Sequence, residues 1–331
     1  MSAPSAVLEF LTRSGVFPAG ATLVAEPLSG GVSSQIWHVH DLRQHAVVKT
    51  PLEELNVAGE WHAPLSRNDA EADWLETVGR LVPGACPEVL AHDRDQHLLA
   101  LSYLDPARHR VWKDDLLRGQ VDLAFAGQVG YRLGAVHRLT AQHPLLAERF
   151  ATDELFEALR IEPYFRSLAL PHPDLAEAID EVVAEAMTTR TTLVHGDVSP
   201  KNILVGPDGP VILDAETARW GDPAFDVAFC INHLLLKSMR PGAPRDALVD
   251  AAHLLLAGYL DHVEPAERAP LERRVARLLP PLMLARVDGR SPVEYLDRSA
   301  ADVVRGFTRG RILNPDEQLL ELTTAWKVAV A

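Results

Sequence analysis

Cysteine is nearly absent from this chain. Cys86 and Cys230 are the only two in 331 residues, far apart and without histidine neighbours at metal-ligand spacing. That excludes a disulfide framework and a zinc ribbon, and it suits a reducing compartment. Long apolar runs are missing too. The longest, residues 227–236, is interrupted by Asn232 and His233 and falls short of the roughly 18 residues a membrane span needs. The opening Met1-Ser2-Ala3-Pro4-Ser5 has no basic segment followed by an apolar one, so no export signal is read there. Positive charge is in deficit, with 32 Lys and Arg against 46 Asp and Glu, for a net charge of −14. Phosphate backbones select for clustered cations, so nucleic acid is excluded as the main partner. An acidic balance chiefly reports solubility, and beyond that it tilts the expectation toward a cationic small molecule. The expected setting is the cytoplasm, with no membrane partner; the oligomeric state stays open.

Apolar residues make up 47% of the chain, enough to bury the core of two domains or of one large one. The first hundred residues read as strands with one main helix. Residues 7–14 form a short amphipathic helix closed by Gly15, and residues 23–28, 35–40 and 45–50 are strand segments rich in Val, Ile and Trp. Residues 68–81 carry Ala70, Trp74, Leu75 and Val78 at helical spacing, with Asn68 as the expected cap and Glu71 as its capping-box partner. Strand character returns at 87–92 and 97–104. Beyond Asp105-Pro106 the chain turns helical, at 121–139, 153–166, 174–187 and from 223 onward. Two short strands around Gly206-Pro207-Asp208-Gly209 interrupt this run. A boundary near 103–106 divides a mixed unit, 1–104, from a helical unit, 105–331.

The strongest chemical signal is Leu193-Val194-His195-Gly196-Asp197-Val198-Ser199-Pro200-Lys201-Asn202-Ile203-Leu204-Val205, followed by Val211-Ile212-Leu213-Asp214-Ala215-Glu216. A loop carries one carboxylate, an amide follows five residues later, and a hairpin returns a second carboxylate toward that amide. Hard oxygen ligands then converge for Mg²⁺ while Asp197 faces an acceptor hydroxyl. An Asp or Asn in a loop more often caps a turn; here the joint spacing, flanked by apolar strands, decides for chemistry.

This segment resembles the catalytic and metal-binding loops of the aminoglycoside phosphotransferase and choline kinase superfamily, distant relatives of protein kinases. Gly221-Asp222-Pro223-Ala224-Phe225-Asp226-Val227-Ala228 continues the likeness. The resemblance implies an α+β, two-lobed protein-kinase-like fold with a small β-rich N-terminal lobe and a larger, mainly helical C-terminal lobe. It implies ATP as donor, Asp197 as catalytic base, Asn202 and Asp214 as Mg²⁺ ligands, and Asp226 as a buried brace for the loop. His195 is expected to shape the loop and not to act as the base.

The N-terminal lobe has matching candidates for the nucleotide. Ser29-Gly30-Gly31-Val32-Ser33-Ser34-Gln35 joins two strands and can lay N–H groups over phosphates, with Gly30, Gly31, Ser33 and Ser34 the residues of interest. In the related kinases a strand-end lysine such as Lys49 contacts the α- and β-phosphates and pairs with a helix glutamate, here Glu71. Ser102, Tyr103 and Leu104 are expected to meet the adenine through their backbone. The stretch 49–71 and Asp214-Ala215-Glu216 are also similar to methylthioribose kinases, which adds Glu216 as a metal ligand; Asn202 follows the aminoglycoside pattern instead.

The implied activity is phosphorylation of a hydroxyl on a small molecule, aminoglycoside-like antibiotic or sugar, with a methylthioribose-type sugar as the alternative. A non-catalytic ATP-binding protein would show damage at Lys49, Asp197 or Asp214, and none is damaged. A protein kinase is disfavoured because Asp-Phe-Gly and Ala-Pro-Glu are both missing. Nucleotidyl transfer differs by releasing pyrophosphate. Residues 105–113 after the hinge, with Arg219 and Trp220, are expected to be ordinary packing or surface residues sooner than acceptor contacts.

Overall fold

The structure is a computed structural model that describes residues 4–28, 33–52, 54 and 63–330. Five antiparallel strands form the N-terminal sheet: β1 (Val24–Leu28), β2 (Ser34–His40), β3 (His45–Pro51), β4 (Val89–Asp93) and β5 (Leu98–Ser102), in the order β1-β2-β3-β5-β4. Alternation along the central strand β3 decides what each face does. Ala46 and Val48 point into a small core with Val7, Phe10 and Leu11 of helix α1 (Ser5–Arg13), together with Phe17, Trp37 and Val39. The intervening Val47 and Lys49 face the other way, Val47 onto a second cluster below the sheet. Lys49 is aligned with Ile36 of β2 and Leu99 of β5, so strands on both sides fix its position.

Helix α2 (Arg67–Leu81) lies beneath that face and is buried along ten of its residues, charged ones included. The helix begins one residue before the expected start, and Asn68 is not its cap. The Asn68 amide is buried and donates to the His97 carbonyl at 2.9 Å and the Lys49 carbonyl at 3.4 Å. Main-chain acceptors from the sheet outcompete the helix end for this side chain. Glu71, freed from the expected capping box, turns to Lys49.

The C-terminal lobe is built on α3 (Leu123–Thr140), α4 (Ala176–Thr188), α5 (Pro223–Lys237), α6 (Arg245–Leu260), α7 (Pro265–Asp288), α8 (Arg298–Leu313) and α9 (Leu319–Ala329). Helix α5 is buried on all sides, which explains its nearly continuous apolar sequence without a membrane. Among the described residues no helix is long and apolar enough to cross one. Helices α3 and α6 cross closely: a Cβ at Gly130 would lie 1.8 Å from the Leu255 carbonyl oxygen, so only glycine fits there. The helix expected over 153–166 is not continuous. It runs as Asp153–Phe156, a π-turn over Glu157–Ile161 and a last helical piece at Glu162–Tyr164. Pro163 has no N–H to give the Leu159 carbonyl four residues back, and the Arg160 guanidinium takes that acceptor at 2.5 Å.

Short strands carry the loops between the lobes. β6 (Arg110–Val111), β8 (Ile203–Gly206) and β9 (Gly209–Ile212) form one sheet, and β7 (Thr192–Val194) pairs with β10 (Arg219–Gly221). The β8–β9 hairpin turns at the expected Pro207-Asp208, and its register pairs Ile203 with Ile212. A shared core joins the lobes: Trp74, Leu75, Leu99 and Leu101 pack with Leu193, Ile212, Ala215 and Trp220. Trp112 is also buried in the core of the C-terminal lobe.

Candidate active site

Lys49 is 5% exposed and its ammonium sits among three carboxylates. It donates to Glu71 Oε2 at 2.5 Å and to Asp214 Oδ1 at 2.6 Å, and Glu216 Oε1 lies 3.5 Å away. Burial works against the Lys49 charge, but Asp214, Glu71 and Glu216 outweigh it and hold its pKa well above the ordinary value. Burial likewise opposes ionisation of Asp214, and Lys49 and Lys201 prevail, pulling its pKa down. Asp214 adopts a φ of +69°, a left-handed conformation uncommon outside glycine, which turns its carboxylate back toward β3.

Glu216 is anchored from the opposite side. Its Oε1 accepts from the Ser33 hydroxyl at 2.8 Å and the Ser34 hydroxyl at 3.1 Å, and Arg67 Nε lies 3.5 Å from Oε2. The serines expected to cover phosphates thus touch Glu216 directly. Gly30 and Gly31 lie outside the described residues. Two cations, Lys49 and Arg67, face three carboxylates here, and Glu71, Asp214 and Glu216 each offer an oxygen within 4.8 Å of the others. A hard-oxygen set with surplus negative charge suits a divalent ion such as Mg²⁺.

The loop holding Asp197 is fastened by main-chain bonds. Asp226, fully buried at the start of α5, accepts the His195 N–H and the Gly196 N–H, each at 2.7 Å, and lies 3.2 Å from His137 Nε2. His137 is packed in the core, with Nδ1 3.0 Å from the Tyr259 hydroxyl. Gly196 has a φ of +79°, and a Cβ there would meet Thr217 Oγ1 at 2.5 Å. His195 spends both ring nitrogens on main chain: Nδ1 accepts the Asp197 N–H at 3.1 Å and Nε2 donates to the Leu213 carbonyl at 3.0 Å. Burial lowers its pKa despite Asp226 and Asp197, so the ring is neutral and structural.

Asp197 itself is 6% exposed. Asn202 Nδ2 donates to its Oδ2 at 2.9 Å, Arg160 Nη2 lies 3.0 Å from the same oxygen, and Lys201 Nζ lies 3.2 Å away. Among the described residues Oδ1 has no hydrogen-bond partner, which makes it the oxygen available to an acceptor proton. The Asn202 amide nitrogen is committed to Asp197, so its oxygen is the atom that can turn to a metal. At the expected hinge, the Ser102 N–H donates to the Glu88 carbonyl at 2.9 Å and its hydroxyl accepts the Glu88 N–H at 3.0 Å, which leaves the main-chain carbonyl of Ser102 and the main chain of Tyr103 and Leu104 as the groups that could meet a base. Arg219 is buried, stacked over Phe156 at 4.8 Å, and Trp220 joins the interlobe core; both pack, as expected.

Arg160 and Arg67 went unnoticed in the sequence. Each reaches the site through the fold: Arg160 from the π-turn, Arg67 from the first turn of α2. Lys201 lies within the motif, where its spacing four residues after Asp197 was the available signal.

Residues 24–271 match the phosphotransferase enzyme family. The chain belongs to that family. A methylthioribose kinase of Bacillus velezensis is 25% identical over 276 residues, covering 74% of this chain and 69% of that protein. One from Pectobacterium atrosepticum is 27% identical, covering 72% and 68%. Among solved structures, a choline/ethanolamine kinase family protein from Mesorhizobium loti aligns over 98% of both chains with a TM-score of 0.53 at 14% identity. An amicoumacin kinase in complex with AMP-PNP and Ca²⁺ aligns over 88% of both, with a TM-score of 0.55 at 14% identity. The fold is therefore the two-lobed, α+β kinase-like one expected from the loop motif, and the chain is a small-molecule kinase with a hydroxyl acceptor.

Proposed function

We propose that this phosphotransferase moves the γ-phosphoryl group of ATP to a hydroxyl of a sugar-like or antibiotic small molecule, with Mg²⁺ as the metal. Residues 1–104 would serve as the nucleotide lobe and residues 105–331 as the lobe for catalysis and acceptor. The observation that carries the reading is the state of Asp197: the Asn202 amide and two cations hold Oδ2, and Oδ1 would be left to the acceptor. Asp197 orients the hydroxyl and takes its proton as the bond to phosphorus forms. Lys49, fixed by Glu71, neutralises the α- and β-phosphates, and the Ser33-Ser34 segment closes over them. Arg160 and Lys201, 3.0 and 3.2 Å from Oδ2, keep the Asp197 carboxylate aligned and would face the charge that develops on the transferred group. Asp214 and Glu216, with the Asn202 amide oxygen, would hold Mg²⁺, which supplies charge neutralisation on the phosphate oxygens. The methylthioribose kinase relatives support a sugar-like acceptor, and the fold shared with an amicoumacin kinase is compatible with an antibiotic.

The test is ADP release with Mg-ATP across aminoglycosides, nucleoside and peptide antibiotics, methylthioribose, choline and simple sugars, with product mass read for a gain of one phosphate. Asp197→Ala should cut turnover of the acceptor found by about 10²–10⁴-fold and leave nucleotide binding intact. Near-normal turnover in that variant would sink the mechanism.

A further inference from the structure

Leading away from Asp197 is a row of cations, and past Arg160, which pairs with Asp197, Arg286 and Lys237 have no carboxylate within 4.0 Å among the described residues. Arg160, beside Asp197, stacks over the rings of Tyr164 and Phe229 at 5.8 and 5.5 Å. Arg286 donates to the Tyr164 hydroxyl at 3.0 Å and to Ser291 at 2.8 Å, and lies over the same tyrosine ring at 5.6 Å. Farther along α5, past His233, whose ring stands 5.4 Å from that of Phe229, comes Lys237. From Phe229 to Lys237 is eight residues, about 12 Å of helix axis.

Lys237 is the unusual member. It is 1% exposed, yet its ammonium makes only a 3.5 Å contact with the His233 carbonyl and stands 5.0 Å from the Tyr295 ring. Among the described residues no carboxylate lies within 4.0 Å of it. A buried ammonium without a counter-ion costs several kcal/mol and is rarely kept without a use. Burial, with Lys113 and Arg286 nearby, pushes its pKa down to about 7, while Glu294 pulls weakly the other way. Glu294 is largely exposed and already pairs with Lys113 at 2.6 Å. Two further polar atoms at this spot, the Tyr295 hydroxyl and Arg286 Nε, are buried with no hydrogen-bond partner. Two cations and a hydroxyl with donors left unused describe a place prepared for an anion.

We infer that Lys237 and Arg286, with the Tyr295 hydroxyl, form an anion subsite of the acceptor pocket, so that the acceptor is a hydroxyl compound carrying a carboxylate or phosphate. The inference rests on the phosphotransfer reading and narrows it. The distance along α5 puts the anionic group several bonds from the hydroxyl that meets Asp197. It also reverses the expectation drawn from net charge: a polycationic aminoglycoside or choline would meet a wall of like charge.

Matched acceptors separate the possibilities: glycerol, glycerate and glycerol phosphate; glucose, gluconate, glucose 6-phosphate and glucosamine. Each is assayed for ADP release and product mass, and for thermal stabilisation of the complex with Mg-AMP-PNP. The anionic member of a set should bind at least tenfold more tightly than its neutral or cationic counterpart, and carboxylate against phosphate members identify the source of the charge. Lys237→Met keeps volume and removes the charge. It should raise KM for the anionic acceptor tenfold or more with little change in KM for ATP, and it should raise the melting temperature, which a purely structural lysine would not. Turnover of neutral or cationic acceptors with the anionic ones rejected would overturn the subsite and leave the kinase reading standing. Absence of transfer to every acceptor, with ATP bound, would count against the kinase reading. The stabilisation series judges the subsite in that case too: equal shifts for charged and neutral members would overturn it.

Discussion

Asp226→Asn isolates the brace from the chemistry, because the change is nearly isosteric and touches no reacting atom. In the native loop each carboxylate oxygen accepts one main-chain N–H at 2.7 Å, from His195 and Gly196, and His137 adds a third contact. An amide can accept on one side only. Whichever way it turns, its NH₂ faces an N–H, and one buried donor is left without a partner. A hydrogen bond to a charged group contributes about 1.5–3 kcal/mol, and an unsatisfied buried donor costs a similar amount. Counting the loss once, the variant should be destabilised by about 3 kcal/mol, more than a hundredfold in the folding equilibrium. Urea unfolding at pH 7.5 reads that number directly. Acceptor-dependent ADP release should fall as well, since Gly196 and Asp197 move with the loop, while equilibrium nucleotide binding to Lys49 and Asp214 should change little. A loss below about 1 kcal/mol, the net value of one neutral hydrogen bond, would mean that the loop is held by other contacts and that Asp226 is not its brace.

Asp214→Ala should weaken Mg-ATP binding by tenfold or more in a titration with a fluorescent nucleotide, because it removes a donor from the carboxylate set and a partner of Lys49; unchanged affinity would remove Asp214 from the metal site. Gly196→Ala should both destabilise the fold and suppress transfer, since the added Cβ meets Thr217 at 2.5 Å in a left-handed backbone; a variant with native melting temperature would contradict that crowding. The stability advantage of Lys237→Met over the native chain should be greatest below pH 7 and shrink toward pH 10.5. The folded-state pKa of Lys237 is depressed to about 7 from 10.5, so the unfolded chain holds the extra proton between those values and native stability rises with pH by up to about 1.4 kcal/mol per unit; a pH-independent gap between the two proteins would show that Lys237 is not buried as a charge.

The loop half of the candidate site was legible because its residues are close in sequence. Asp197, Asn202, Asp214 and Glu216 span one loop and one hairpin, where local turn chemistry and strand alternation decide which way each side chain points. Lys49 and Glu71 were legible for a similar reason: a strand end and the following helix fix a short reach between them. Arg160 was not, because its position depends on a π-turn that Pro163 provokes, and nothing in helical periodicity announces an extra residue in a turn. Asn68 misled for a different reason. Its position next to the first helical turn fits a cap, yet the buried His97 and Lys49 carbonyls needed a donor, and that tertiary demand prevailed. The proposed acceptor end was invisible, since Arg160, Lys237, Arg286 and Tyr295 come from separate elements that only the fold assembles.

Charge shows the same contrast between sum and arrangement. A net charge of −14 suggests attraction for cations, and at the nucleotide end it has a local counterpart: three carboxylates against Lys49 and Arg67 leave room for a divalent ion. At the proposed acceptor end the sign reverses, with Lys237 and Arg286 buried or half-buried and a nearby carboxylate, Glu294, facing solvent. Long-range steering follows the sum, but screening confines it to about 8–10 Å at ordinary salt. Selection within a pocket follows the groups that touch the ligand. A kinase whose two substrates carry charge of the same sign must keep them from repelling each other at the moment of transfer. On the proposed reading, cations would stand on both sides of the phosphoryl group, Lys49 behind it and Arg160 with Lys201 ahead, and would let an anionic acceptor approach an anionic donor. By this reasoning, salt should weaken binding of the acceptor more than catalysis by the bound complex, because only the approach crosses open water.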